Sequence, residues 1–192
     1  GFSEDKVLLM SLGDMGGIGN GCEIITKRRS LSVPVGDALL GRIIDGLGRP
    51  IDDGPPIIYD KFAPLESAPP NPLTRKRIKE PISVGVRAID GVLTFGKGQR
   101  IGIFAGSGVG KSTLLGMIAR NTAADINVIG LIGERGREVR EFIERDLGEE
   151  GLKRSVVIVA TSDQPALVRL KGAMTATAIA EYFREQGKNV ML

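Results

Sequence analysis

Downstream of Gly98 the apolar positions switch between two spacings. Residues 126–132 and 155–160 are nearly unbroken apolar runs, Ile-Asn-Val-Ile-Gly-Leu-Ile and Ser-Val-Val-Ile-Val-Ala, which predict strands of a sheet covered on both faces. Residues 99–105 predict a further strand that ends in a glycine-rich turn. Between these runs the spacing becomes helical. Leu114, Leu115, Ile118 and Ala119 share one face of a helix predicted over 111–122, and Val139, Phe142, Ile143 and Leu147 form one stripe over 139–147. Ser162 or Asp163 can cap a third helix, with Pro165 in its first turn and Gly187 at its end, and residues 189–192 open a fourth strand. Four strands and three helices in this order predict an α/β fold with a parallel sheet and right-handed crossovers. The chain stops two or three residues into that last strand, where its open backbone groups would lack neighbours, so a continuation beyond Leu192 is expected.

The first half is patterned differently. Residues 7–12 and 22–26 are short apolar segments on either side of a glycine-rich turn region, which predicts two antiparallel strands. They are too few to bury a core alone, so they are either a decoration or, as favoured here, the tail of a β-domain. Residues 39–44 are apolar, and a proline-rich run from Pro50 to Pro72 follows; these prolines fix φ and remove ladder donors, predicting an extended connector along a surface. The division expected is thus 1–32, a connector and boundary over 33–79, and an α/β unit over 80–192. The basic run Arg75, Lys76, Arg77, Lys79 reads as a solvated charged face in preference to a nucleic-acid patch.

Composition narrows the chemistry. The chain has 192 residues, 42% of them hydrophobic and 26% charged, which suits a globular core. No apolar run approaches the roughly 20 residues of a spanning helix, and the first residues carry no basic-then-apolar leader, so a cytoplasmic location is expected. With no histidine and one cysteine, Cys22, soft metal sites, internal disulfides and Ser-His-Asp triads are excluded. Twenty-six basic against 23 acidic residues leave a net charge of +3, too mild to imply nucleic acid. The 27 glycines call for tight turns or close backbone approach.

Ala105 to Thr113 reads Ala-Gly-Ser-Gly-Val-Gly-Lys-Ser-Thr, the phosphate-loop pattern with alanine in place of its first glycine. A polyphosphate needs many donors converging at short range, and Gly106, Gly108 and Gly110, with Ser107 and Val109 between them, let successive N–H groups curl inward. Lys111 would place its ammonium between the two terminal phosphates, Ser112 would ligate Mg²⁺, and Thr113 would bond an inner phosphate. A flexible strand–helix turn is the plainer alternative; the predicted strand before the loop and the amphipathic helix after it favour the phosphate loop.

Glu134, in Gly-Glu-Arg-Gly-Arg-Glu at 133–138, begins where the second predicted strand ends. Ligands of such sheets bind at the carboxyl ends of strands, so Glu134 would flank the phosphates if its strand neighbours the loop strand, and would suit a water-orienting base. A solvated loop followed by ordinary helix-surface charge pairs explains the same residues equally well.

Taken together, several segments make the chain resemble the flagellum-specific and type III secretion export ATPases, relatives of the rotary ATP synthase catalytic subunits. They are Gly-Arg-Ile-Ile-Asp-Gly-Leu-Gly-Arg-Pro-Ile-Asp at 41–52, Glu-Pro-Ile-Ser-Val-Gly-Val-Arg-Ala-Ile-Asp at 80–90, the loop at 104–113, Gly-Glu-Arg-Gly-Arg-Glu-Val at 133–139, Thr-Ser-Asp-Gln-Pro at 161–165 and Ala-Glu-Tyr-Phe-Arg at 180–184. The spelling Gly-Lys-Ser resembles the export branch. The resemblance implies a RecA-like phosphate-loop core behind an N-terminal β-barrel, with residues 1–32 as the last barrel strands. It implies Glu134 as the catalytic carboxylate, with Lys111 beside it, and Arg135 or Arg137 holding that carboxylate or a neighbouring subunit. It implies ATP and Mg²⁺, a homo-hexameric ring with nucleotide at the interfaces, and a place at the inner face of the cell membrane. There, hydrolysis would detach export substrates from chaperones before they enter a membrane gate.

The Mg²⁺-shell aspartate and the arginine from a neighbouring subunit implied by the resemblance are not among these 192 residues. Such an arginine contributes about 10³ to 10⁵ in rate, so the fragment by itself is expected to hydrolyse ATP very slowly or not at all. Two rival readings share the core. A hexameric RNA translocase is disfavoured because only Phe2 among the aromatics precedes residue 59, leaving no stacking platform in the N-terminal segment. A ring subunit that binds ATP without turnover is disfavoured by Glu134.

Overall fold

The two apolar runs at 126–132 and 155–160 become the paired centre of the molecule. A computed structural model describes every residue except Gly1, Asp5, Asp14, Asp60 and Ser107, and only the backbone of Phe2. In chain order β1 (Phe2–Ser3) and β2 (Lys6–Val7) form a small antiparallel pair. Next come β3 (Ser32–Val35), β4 (Ile43–Asp45) and β5 (Lys61–Pro64). The short helix α1 (Arg87–Val92) precedes α2 (Lys111–Asn121) and β6 (Ile126–Ile132). Then α3 (Gly136–Glu141) runs through a π-helical turn (Phe142–Leu147) into α4 (Gly148–Lys153). The chain continues as β7 (Ser155–Ala160), α5 (Ala166–Glu185) and β8 (Val190–Met191).

The main sheet has the order β4-β7-β6-β8, and every pairing in it is parallel. Alternation along its strands sorts side chains to two cores. Val128, Val156 and Ile158 meet Ala176, Ile179, Ala180 and Phe183 of α5 on one face. Leu131, Val157 and Val159 meet Ala119 of α2 and Val139, Phe142 and Leu147 on the other. Each large side chain fully withdrawn from water, such as Phe183, Ile179 or Leu147, contributes about 1.5–3 kcal/mol.

Small residues let α5 approach the end of β4. A Cβ on Gly46 would stand 2.9 Å from the Val168 carbonyl oxygen and 3.2 Å from the Gly172 Cα. The buried Thr175 hydroxyl donates to the Gly46 carbonyl at 2.8 Å.

Four sequence expectations are corrected. Residues 99–105 form no strand: among the described residues they have no ladder partner, and β7 and β8 take up the two sides of β6. Residues 33–79 are no simple connector, since β4 joins the main sheet and β3 pairs antiparallel with β5, with Val33 opposite Ala63 and Val35 opposite Lys61. The strands expected at 7–12 and 22–26 shrink to β2. Leu8, Leu9, Met10, Ile24 and Ile25 stay exposed, so this segment lacks the burial that makes a strand favourable. Ser162 and Asp163 do not cap α5, whose N-cap is Pro165; the Asp163 carboxyl accepts from the Thr161 hydroxyl, which holds it below the usual carboxylate range.

Candidate functional site

Gly110 sits at φ 92°, in the left-handed region, and acts as the N-cap of α2. Gly108 has φ 76°. Both conformations are strained for a residue with a Cβ, so glycine is required here by backbone geometry. A Cβ on Gly106, Gly108 or Gly110 would meet nothing within 4 Å, so the loop opens to solvent instead of lying against protein. Ser107 lies outside the described residues; Val109 is exposed.

No side chain caps α2, and its first internal bond runs from the Leu114 N–H to the Gly110 carbonyl at 2.9 Å. The amides of Lys111, Ser112 and Thr113 are therefore first-turn donors without helical acceptors. Together with the dipole they favour an anion at this end of the 11-residue helix. Lys111 is half-buried, while Ser112 and Thr113 are exposed. These donors fit a phosphate chain. Among the described residues no group of three or more Asp, Glu or Cys side chains could hold a metal, so a hard cation here would rely on the Ser112 hydroxyl and phosphate oxygens.

Glu134 is half-buried in the turn after β6. That turn is tied to the carboxyl end of β7: the Gly133 N–H donates to the Ala160 carbonyl at 2.7 Å, and the Ser162 N–H donates to the Glu134 carbonyl at 3.0 Å. Gly133 has φ 79°, which turns the chain off the sheet edge. Arg135 pairs with Glu138 at 3.5 Å, not with Glu134, and both side chains are well exposed, so the pair contributes little. The condition that would put Glu134 beside the loop, a loop strand next to β6, is not met, because β7 and β8 occupy both sides of β6.

Several residues that position these elements were not evident from sequence. Asp90 accepts from the Val84 N–H at 2.9 Å, the Ser83 hydroxyl at 2.7 Å and the Gly85 N–H at 2.9 Å, and these bonds hold its carboxyl below the usual range. The turn so fixed packs on the end of α2: a Cβ on Gly85 would stand 2.2 Å from the Asn121 Cβ. Gly116 lies inside α2, where glycine costs about 1 kcal/mol relative to alanine; that cost was the available signal of a close contact.

Residues 85–192, more than half of the chain, match the nucleotide-binding domain of the ATP synthase alpha/beta family. The chain belongs to this family. Over its whole length it is 60% identical to the flagellum-specific ATP synthase of Bacillus subtilis (strain 168) and 54% identical to the type 3 secretion system ATPase of Xanthomonas euvesicatoria. It spans 44% and 43% of these relatives, less than half the length of each. Among solved structures it is similar to a prototypical ATPase from the type III secretion system of pathogenic bacteria. There the TM-score is 0.80 at 59% identity, over 84% of this chain and 46% of that one. It is also similar to the assembled ATPase EscN bound to its central stalk EscO from enteropathogenic E. coli. That match has a TM-score of 0.78 at 59% identity, over 83% of this chain and 40% of that one. The family match begins at Gly85, so it contains α1, the loop, α2, Glu134 and the whole of β6 to β8.

Proposed function

We propose that this chain is the nucleotide-handling part of an ATP-binding and hydrolysing motor subunit that energises protein export through a flagellar or type III secretion apparatus. The observation that carries the proposal is the uncapped amino end of α2 behind two left-handed glycines, in a chain 60% identical to a flagellum-specific ATP synthase.

In this reading the amides of residues 106–113 bind the phosphate chain, and the Lys111 ammonium neutralises charge on its terminal groups. The Thr113 hydroxyl donates to an inner phosphate. Ser112 would hold Mg²⁺ through its hydroxyl, and the ion would supply positive charge to polarise the phosphates. Glu134 orients the attacking water and accepts its proton. Arg135, free to leave its weak partner Glu138, serves a neighbouring subunit of a homo-hexameric ring, as the assembled state of EscN supports.

Residues 80–192 then form a RecA-like unit to which β4 adds a strand from the 33–79 segment. Residues 1–32, with their row of exposed apolar side chains, belong to a β-barrel. Export substrates, chaperones and the membrane apparatus are the partners, reached from the cytoplasmic face of the membrane. Among the described residues no helix is long and apolar enough to cross it. The relatives named above favour this reading over a nucleic-acid translocase that would share the same core.

The test is ATP binding with Mg²⁺, measured by calorimetry on the wild-type chain and on Lys111→Ala. Removing one partner of a charge-assisted contact costs about 2 kcal/mol or more, so binding should weaken about 30-fold or more. Equal affinities, or no binding to the wild type, would overturn the proposal, and tight salt-sensitive retention of single-stranded RNA would favour the translocase.

A further inference from the structure

The two halves of the proposed site lie on different elements, and no strand ladder joins them. The phosphate-binding donors are at the amino end of α2, whereas Glu134 lies two residues before α3. Between them, α2 rests closely on the continuation of α3, Gly116 against Asp146. That contact is between backbones. A Cβ on Gly116 would stand 2.4 Å from the Asp146 carbonyl oxygen, 2.7 Å from its carbonyl carbon and 2.8 Å from its Cβ. Gly116 is buried, five residues after Lys111, and Asp146 lies in the π-helical turn that begins where α3 ends.

The π-helical turn makes this approach a defined seat. Its wider turn, closed by i→i+5 bonds, displaces the chain relative to an uninterrupted helix, and such turns inside α-helices recur at functional sites. Asp146 is held in it by charge: its side chain is only 6% exposed, and Arg145 reaches back to it at 3.3 Å while also pairing with Glu141. Arg145 thus supplies the cation beside this buried carboxylate, in the residue that α2 touches. At the far end α2 is also anchored, through the carbonyls of Ala119 and Thr122 that accept from Arg154 at the end of α4. The helix is thus held at its carboxyl end and seated at its middle, leaving its amino end to respond to a ligand.

We infer that Gly116 and Asp146 form a positioning seat that couples nucleotide at the amino end of α2 to Glu134 at the start of α3. This inference rests on the nucleotide-binding reading above. Gly116 and Asp146 touch no reacting atom; they act by fixing the distance between the residues that do. A methyl group at Gly116 has no flexible side-chain end to displace, because the atoms it meets are the Asp146 carbonyl and the Cβ fixed to the same backbone, so α2 and the π-helical turn must separate by several tenths of an ångström or more.

Hydrogen exchange on the 192-residue chain, with and without saturating ATP and Mg²⁺, reads this coupling directly. In the wild type, nucleotide should slow exchange at 133–138 and 142–147 about fivefold or more, the lower range of typical coupling between sites. In Gly116→Ala, titration should still show nucleotide binding, but the slowing at 142–147 should fall below about twofold. Should Gly116→Ala fail to fold, Arg145→Gln takes its place, since it loosens Asp146 without touching α2 and should weaken the slowing at 133–138 while ATP affinity stays within about threefold. Binding without any slowing in the wild type, or slowing that survives whichever variant folds, overturns the seat and leaves the nucleotide-binding reading standing. Absence of wild-type binding overturns both.

Discussion

Arg154 donates to the carbonyl oxygen of Ala119 at 2.8 Å, so the residue after α4 closes the last turn of α2. The same guanidinium reaches the carbonyls of Thr122 at 2.9 Å and Ala124 at 3.0 Å, and the Asn127 amide of β6 adds a second donor to Ala119 at 2.8 Å. Two helix-end acceptors and one carbonyl of the link to β6 are thus satisfied by one half-buried cation, the charge sign that the helix dipole favours there.

Replacing Arg154 by alanine should therefore lower stability by about 2–4 kcal/mol, since each hydrogen bond to a charged group contributes about 1.5–3 kcal/mol and the carbonyls partly recover water. Arg154→Lys should recover only part of the loss, because one ammonium cannot span three acceptors fixed around a planar fork. Urea denaturation followed by far-ultraviolet circular dichroism measures both; a loss under about 0.5 kcal/mol for alanine would show that the cap is not needed.

The pair formed by Arg42 and Asp52 predicts an acid-sensitive term. Arg42 Nε donates to Asp52 Oδ2 at 2.8 Å, a second guanidinium nitrogen reaches Oδ1, and the Ile43 N–H of β4 adds a bond at 2.8 Å. The Arg42 hydrogen bonds, opposed by partial burial and helped by the Ile43 amide, hold the Asp52 carboxyl below its ordinary value. The unfolded chain therefore takes up this proton first as the pH falls. The stabilisation is complete above about pH 4 and is lost as the pH drops through the folded-state value. Asp52→Asn should be less stable at neutral pH, and the gap to the wild type should close below about pH 4. A gap that stays constant across that window would contradict the assignment.

How much of this was legible in sequence depends on what decides each element. β6 and β7 occupy the residues that their apolar runs marked, because strands buried on both faces need apolar side chains throughout. The start of α2 at Lys111 follows from Gly110, whose left-handed backbone the motif demands. Residues 99–105 carry the same kind of apolar pattern yet form no strand, since a strand exists only through its ladder partner, which no local pattern reveals; only Ile103 is half-buried there, beside Met191 and Ile118. β4 escaped notice because three residues between turns leave no periodicity to read. The π-helical turn at 142–147 shares its apolar stripe with an ordinary helix, and one displaced residue is too small a departure to detect. The motifs likewise name Lys111 and Glu134 but leave their separation to tertiary packing.

The junction of β4 and α5 should tolerate no added methyl at Gly46. A Cβ there would press on the Val168 carbonyl oxygen at 2.9 Å, backbone that α5 cannot yield without shifting along the sheet. Gly46→Ala should cost about 1–3 kcal/mol by overpacking. Thr175→Val, nearly equal in volume, should cost about 1–2 kcal/mol by leaving the buried Gly46 carbonyl without its donor. Thermal unfolding of the two variants and their combination tests this, and because both changes act on one contact the double variant should cost less than the sum.

Glu134 carries the sharpest expectation about chemistry. Its backbone is fixed at both ends of the turn, through Gly133 to Ala160 and Ser162 to Glu134, and its side chain is left half-buried without Arg135 as a partner. Glu134→Gln keeps the shape and removes the base, so in a chain of the full length of the relatives ATP binding should persist while turnover falls about 10²-fold or more, the range that a positioned general base contributes. A loss of affinity in place of turnover would make Glu134 a binding residue, and unchanged turnover would remove it from the reaction altogether. Lys111→Ala, which acts on affinity, and Glu134→Gln, which acts on turnover, should therefore fail in different ways, and that difference separates a hydrolysing motor from a ring subunit that only binds nucleotide.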